Sequence, residues 1–436
     1  MKKSQRLLIL LLFGALAIRL FMLLIDTPPL RSDSLTYHEI AMSVLDGRYD
    51  LHDRPTALVV PGYPIFLAGV YSIFGDGQFG VRLVQSVLDV FTCFVFFLVC
   101  SKFFDEKFSL IALCIFAFFP SNVLYTQAVL TETLFGLFSM LVLLATVSIE
   151  MKRKLFLVGM LFGTAILVRS SFSMSVLLVP LYLLVYRKQI FEEDSFKKPL
   201  TYSIYFVAGL LLMLTPWLSR NKLTMGAFTL ATQGGSALWE GNNPQATGTW
   251  NKQAADANPL FEEPDEVKRE KEFRKQAIDF IKSNPGKFVE LGFRKLGYLF
   301  SSERMALLYF MDSPAGKTSS QIYSTVNPVS MILVNFPYFA VMLAGMWGLL
   351  MPMKHKFFVA GFIIIWMATM FIFVAVPRYH YVLIPFFVIG AVNFFCRGIG
   401  EIKNLKPVSK FAGIAFTVFV LAVWASEFYL LYFKSN

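Results

Sequence analysis

Charge is scarce in this chain, and that scarcity decides its class. Only 16% of the 436 residues are Asp, Glu, Lys or Arg, while 56% are hydrophobic. A soluble domain carries roughly 25% charged residues, so the composition excludes one and indicates a polytopic membrane protein. Cysteine is rare as well. Cys93, Cys100, Cys114 and Cys396 fall in or at the ends of apolar runs. They lack metal-ligand spacing and read as small core residues. No GxxxxGK[ST] and no glycine-rich fingerprint occurs, which argues against an ATP-driven pump and against chemistry fed by a cytosolic nucleotide sugar. No repeat relates the two halves, as interrupted-helix transporters would show.

What the chain does have is long apolar runs. Leu7–Ile25 follows a basic start but exceeds a usual signal-peptide core and lacks a small-residue cleavage site, so it reads as a retained span. Further runs follow at Val81–Cys100, Leu110–Phe119, Leu130–Ile149, Leu155–Tyr186 (two linked spans), Leu200–Trp217, Val329–Leu350, Phe357–Val376, Val382–Phe395 and Phe411–Phe433. Together they predict an all-α bundle of about eleven spans. The chain divides into a core at 1–217 with a first extracytoplasmic loop at 26–80, a large loop at 218–327, and C-terminal helices at 328–436. In the large loop, Glu266–Lys282 and Phe288–Phe300 are amphipathic, as interfacial helices are.

The net charge of +11 sits mostly in short connecting loops, where it sets orientation rather than binding nucleic acid. Lys2, Lys3, Arg6, Lys102, Lys107, Lys152, Arg153, Lys154, Arg187, Lys188, Lys197, Lys198, Lys354, Lys356, Arg397, Lys403, Lys406 and Lys410 fall on one side. The positive-inside rule makes that side cytoplasmic, with the N-terminus, and turns both large loops outward.

The first loop, Arg31 to Ala68, is a polar island on which the functional reading turns. Asp33, Tyr37 and Ile40-Ala41 share a helical spacing, Ser32 is placed to cap it, and Asp46-Gly47 stops it. Asp33 is either a helix-start charge or a carboxylate offered to a lipid head group. Glu132 and Arg169 lie at the outer ends of spans, Arg378-Tyr379-His380 forms an outer turn, and Arg220 opens the large loop. Charges at membrane depth are costly, and they mark either a functional site or a structural pair. Arginine suits bidentate phosphate binding, although each one alone is also a common snorkelling anchor. Asp89 and Gln85, a turn apart inside a span, read as helix–helix hydrogen bonding. His38, His52 and His380 are too scattered to predict a metal site.

An ordered set of motifs runs through nearly the whole chain. Asp33-x3-Tyr37-x3-Ala41, Gly47 and Pro61-Gly62-Tyr63-Pro64 come first, then Thr131-Glu132-Thr133-Leu134 and Leu167-Val168-Arg169. Pro216-Trp217-x2-Arg220-Asn221-x4-Gly226 precedes Gly241-Asn242-Asn243-Pro244-x2-Thr247-Gly248. Ala277-Ile278-x2-Ile281-x2-Asn284-Pro285 follows, and Arg378-Tyr379-x5-Pro385 closes the set. The set resembles the GT-C superfamily of membrane glycosyltransferases, in the bacterial family 39 branch related to protein O-mannosyltransferases and the lipid A aminoarabinose transferase. Many relatives have two adjacent acids in the first loop, whereas Ser34 follows Asp33 here.

The resemblance implies a bacterial inner-membrane enzyme with an extracytoplasmic site and a GT-C-type helix bundle. Such an enzyme moves a sugar from a polyprenyl-phosphate donor to a lipid, glycan or protein acceptor, with inversion and with no required cofactor. It implies Asp33 and Glu132 as catalytic carboxylates, with the division of labour between them open. Tyr37, Arg169, Arg220, Arg378, Tyr379 and His380 become candidates for substrate binding. A polytopic lipid or glycan transporter or flippase without transfer chemistry is the alternative class.

Overall fold

The computed structural model describes residues 3–25, 29–148, 154–192, 195–311 and 325–432. Lys2, Lys152 and Arg153, counted above among the cytoplasmic charges, lie outside the described residues. The fold is an all-α bundle. Among the described residues the only sheet is a two-stranded hairpin, Asp50–Leu51 against Arg54–Pro55. His52 and Asp53 form its turn with φ of 51° and 59°, the paired left-handed conformation that a two-residue hairpin turn requires.

Among the described residues six helices are long and apolar enough to cross a membrane: Lys3–Met22, Gln78–Phe103, Lys197–Met225, Pro328–Leu350, Pro377–Arg397 and Pro407–Leu430. Five shorter apolar helices accompany them, among them Glu132–Val147, Lys154–Val168 and Lys356–Ile372. One segment differs from the expected pattern. The run expected to span at Leu110–Phe119 forms a helix at Glu106–Ala117, whose 12 residues reach roughly 18 Å, short of a hydrocarbon core of about 30 Å. The Pro61-Gly62-Tyr63-Pro64 motif opens a 13-residue helix, Gly62–Phe74.

Small residues let the helices approach closely. A side-chain carbon at Gly159 would lie 2.0 Å from the Phe206 carbonyl oxygen, and one at Gly348 would lie 1.7 Å from that of Gly390. Close crossings of this kind are how packing holds helices together where lipid is as apolar as the side chains.

Buried polar groups fasten the rest. The Lys3–Met22 helix exposes Leu10, Phe13 and Phe21, and buries Ala15 and Arg19, one turn apart. Arg19 Nε and Nη2 donate to Asp89 Oδ2 at 2.8 and 2.5 Å, both side chains being fully buried. Arg19 Nη1 donates to the Ala15 and Ala117 carbonyls. Gln85 donates to the Thr126 and Ala128 carbonyls and accepts from the Tyr63 hydroxyl. These contacts lock the segment that leads into Glu132.

Outside the spans, Glu266 ties the two loops together. It accepts from Thr56 Oγ1 at 2.6 Å, the Ala57 N–H at 3.0 Å and Thr232 Oγ1 at 2.7 Å. Lys295, fully buried, donates to Asn242 Oδ1 and to the Phe371 and Ile372 carbonyls at the end of the Lys356–Ile372 helix.

Breaking a buried ion pair from one side strands the other charge, whereas replacing both members with apolar residues need not destabilise. Arg19→Met is therefore expected to lower stability by about 3–5 kcal/mol. The double variant Arg19→Met/Asp89→Leu should recover most of that loss, as read by denaturant unfolding in bicelles.

Candidate functional site

Four charged side chains from distant parts of the chain meet on one side of the bundle. Asp33 is the first residue of the helix Asp33–Leu45, and Glu132 the first of Glu132–Val147. Arg169 sits in extended backbone between the helix Lys154–Val168 and the 3-10 turn Ser170–Ser175. Arg378 follows Pro377 in the 3-10 turn Pro377–Leu383. Pro377 disfavours helical backbone in the residue before it, and Val376 is extended at φ −132° and ψ 154°. The turn therefore starts fresh and offers Arg378 to the site.

Arg378 is the hub. Its Nη2 contacts Asp33 Oδ2 directly, its Nη1 donates to the Tyr309 hydroxyl at 2.5 Å, and its Nε lies 3.7 Å from Glu132 Oε1. Arg169 Nη1 reaches Glu132 Oε1 at 3.1 Å and Thr131 Oγ1 at 3.4 Å, and its guanidinium lies 4.8 Å from the Tyr379 ring centroid. Side-chain exposure falls from 42% at Asp33 to 12% at Arg378, 13% at Arg169 and 2% at Glu132. An arriving molecule therefore meets Asp33 first and Glu132 last. The Arg378 guanidinium holds the Asp33 carboxyl below the usual carboxylate range, against the opposing effect of burial. Tyr37, one turn after Asp33, packs edge-on against Tyr63 at 5.1 Å, and burial pushes its phenol up. A small cleft beside Asp33 is lined by Leu30, Arg31, Ser34, Gln127, Val129 and Tyr309.

Two residues expected at the site are engaged elsewhere. Arg220 Nη1 and Nη2 donate to the Thr56 and Tyr49 carbonyls at 2.5 and 2.9 Å, and the guanidinium lies over the Trp217 and Tyr49 rings. It pins the first loop instead of facing the cleft. His380 is 1% exposed and lies 3.1 Å from Glu303 Oε2. Ser32 stands at the cap position with φ 53°, and its side chain does not cap. Ser34 Oγ instead bridges the Arg31 N–H and carbonyl. His38 pairs with the Tyr71 hydroxyl and His52 with Glu39. Among the described residues no three His, Cys, Asp or Glu side chains gather as metal ligands would.

Two further residues join the site without any sequence signal to find them. Tyr309 belongs to none of the motifs. Glu240 is the penultimate residue of a short helix, Gly234–Gly241, which packs on the segment leading to Arg378. The Val374 N–H donates to the Ala237 carbonyl at 3.2 Å, and a side-chain carbon at Gly241 would lie 2.8 Å from the Phe373 oxygen. Burial, then the charge of Asp33, pushes the Glu240 carboxyl up to about 7.

The family model for dolichyl-phosphate-mannose-protein mannosyltransferases matches residues 53–219. That stretch contains Glu132 and Arg169 and leaves Asp33 and Arg378 outside. A comparison with curated proteins returns no match. The structure is similar to the oligosaccharyltransferase of Archaeoglobus fulgidus in its apo form, with TM-score 0.50 and 11% identity. The match covers 98% of this chain and 55% of that one, so this chain spans little more than half of that structure's length. It is also similar to ArnT from Cupriavidus metallidurans, solved bound to undecaprenyl phosphate. There the TM-score is 0.45 and the identity 12%, over 90% of this chain and 78% of that one.

The raised Glu240 carboxyl gives a signed pH effect. Between the ordinary value of 4.5 and about 7, the folded chain keeps a proton that the unfolded chain has released, so stability falls as pH rises through that window. Glu240→Gln removes this penalty. It should raise the melting temperature at pH 8 and leave it nearly unchanged at pH 4.5, followed by tryptophan fluorescence of the detergent-solubilised protein. An equal shift at both pH values would contradict the assignment.

Proposed function

We propose that this chain, which has the GT-C membrane fold, transfers a sugar from a polyprenyl-phosphate donor to an acceptor on the extracytoplasmic face of a bacterial inner membrane. One observation carries the reading. Asp33 from the first loop and Arg378 from a turn 345 residues later meet directly, with Glu132 and Arg169 behind them. The match to a family described by a lipid-phosphate sugar donor supports it.

The chemistry follows from the contacts. Arg378 binds the carrier phosphate and stabilises the charge that grows on it as the sugar departs. Arg169 has its charge opposed by Glu132 and supports that role from beneath. Asp33 is the general base, taking the proton from the acceptor hydroxyl or amine as that group attacks the anomeric carbon. A single displacement with no enzyme nucleophile inverts the configuration there. Tyr37 and Tyr379 line the sugar pocket.

In the empty site Arg378 neutralises Asp33 and depresses its basicity. A phosphate that draws the guanidinium to itself weakens that hold, so the base gains strength as the donor arrives. Water meeting the empty site finds a weak base.

Asp33→Asn keeps size and most hydrogen bonding while removing basicity. It is expected to reduce transfer by about 10²–10⁴-fold, measured with purified enzyme and a lipid-linked sugar. Full activity of the variant would overturn the role of Asp33, and lipid movement without sugar transfer would favour a flippase. For orientation, a cysteine at Glu262 in an otherwise cysteine-free chain should react with an impermeant maleimide from the periplasmic side. A cysteine at Lys188 should stay protected until the membrane is permeabilised.

A further inference from the structure

The turn that carries Arg378 is held from behind by a buried acid–base pair. His380 lies two residues after Arg378 in the 3-10 turn Pro377–Leu383. With about three residues per turn, that offset sends the two side chains in different directions. His380 Nε2 lies 3.1 Å from Glu303 Oε2, and both side chains are 1% exposed. Its Nδ1 lies 2.9 Å from the Leu299 carbonyl oxygen. A carbonyl only accepts, so Nδ1 carries a hydrogen and Nε2 is left to face the acid. The ring stacks on Tyr338 with centroids 4.6 Å apart.

Glu303 is itself fixed. Its N–H donates to Asn335 Oδ1 at 2.9 Å, and the flanking residues hold Glu427: the Ser302 N–H donates at 2.8 Å, and Arg304 Nε lies 3.1 Å away. Glu303 also opens the short helix Arg304–Leu308, and the next residue, Tyr309, accepts from Arg378. A closed circuit results. It runs from Arg378 to Tyr309, back along six residues to Glu303, across to His380, and back two residues to Arg378.

We propose that His380 and Glu303 form a positioning pair, which sets where the Arg378 guanidinium points without touching substrate. The proposal rests on the phosphate-binding role of Arg378 given above. Arg378 and Tyr309 lie 69 residues apart in the chain, and this pair joins their two segments behind the site. A buried polar group parted from its partner is costly, so neither segment shifts freely relative to the other. A misplacement of about 1 Å in a binding group costs up to 10²-fold in rate, which gives a remote pair a large influence.

The test is a double-mutant cycle on the full-length protein in nanodiscs. Its readouts are equilibrium binding of a short-chain polyprenyl phosphate and the kcat and KM for the sugar-linked donor. Glu303→Ala should weaken phosphate binding and raise the donor KM by about tenfold. Glu303→Gln, whose amide faces Nε2 at the same length, should stay within about threefold of the parent. In an Arg378→Gln background, Glu303→Ala should cause no further loss, because the group it positions is gone. Equal losses with and without Arg378, or a Gln variant as impaired as Ala, would overturn the positioning role. If Glu303→Ala fails to fold, His380→Asn replaces it in the same cycle with the same expectations. If Arg378→Gln alone leaves phosphate binding intact, the functional reading above fails. If it abolishes binding while Glu303→Ala and His380→Asn do nothing, only the pair's role fails.

Discussion

A carboxylate near the start of the chain and a guanidinium near its end share one pocket, and the structure is arranged around their meeting. Neither group is free to choose its place. Arg378 is 12% exposed at the start of a segment apolar enough to cross a membrane, and a cation there needs an anion or a ligand at hand. Asp33 supplies that anion in the empty site and Glu132 stands behind it. The same requirement that stabilises the fold therefore brings a cation and two carboxylates into one pocket, which is the arrangement the proposed transfer reaction uses.

The surrounding polar contacts serve that convergence. Arg19 and Asp89 hold the first helix to the Gln78–Phe103 helix, and Gln85 fixes the 126–128 backbone. Glu266 and Arg220 bind the first loop from two sides, so the Asp33 helix has little freedom to swing. Lys295 holds Asn242, two residues after Glu240, to the end of the Lys356–Ile372 helix. Most of these groups lie in apolar surroundings, where an unmade hydrogen bond costs more than a made one gains. Each clasp is therefore close to all-or-none.

Much of this was legible in the sequence, and the physics explains which parts. Spans declare themselves because hydrophobicity is summed over some twenty residues, a signal that local detail cannot hide. Asp33, Glu132, Arg169 and Arg378 were visible because a charge at a span end is expensive and rarely idle. The destination of a charge was less visible. Arg220 looked like a phosphate ligand, yet its partners are main-chain carbonyls of the first loop, which carry no sequence signature at all. His380 shared a turn with Arg378 and so seemed to share its task, but a 3-10 turn sends neighbours to different faces. Tyr309 and Glu240 fell outside every motif, since what recruits them is contact between segments far apart in the chain. The Glu106–Ala117 helix is shorter than the span its apolar run suggests because a new helix opens at Pro120.

The Glu266 clasp carries a consequence for how the protein is made. Thr56 and Ala57 emerge from the ribosome some 210 residues before the carboxylate that receives them, and in the proposed topology both must first be translocated. The early loop therefore waits, its donors satisfied by water, while further helices are threaded into the bilayer. Only then is the later loop delivered to the same face. Assembly of the pocket is a late step in biogenesis, and a chain interrupted before residue 266 would carry inserted helices but an unfastened mouth.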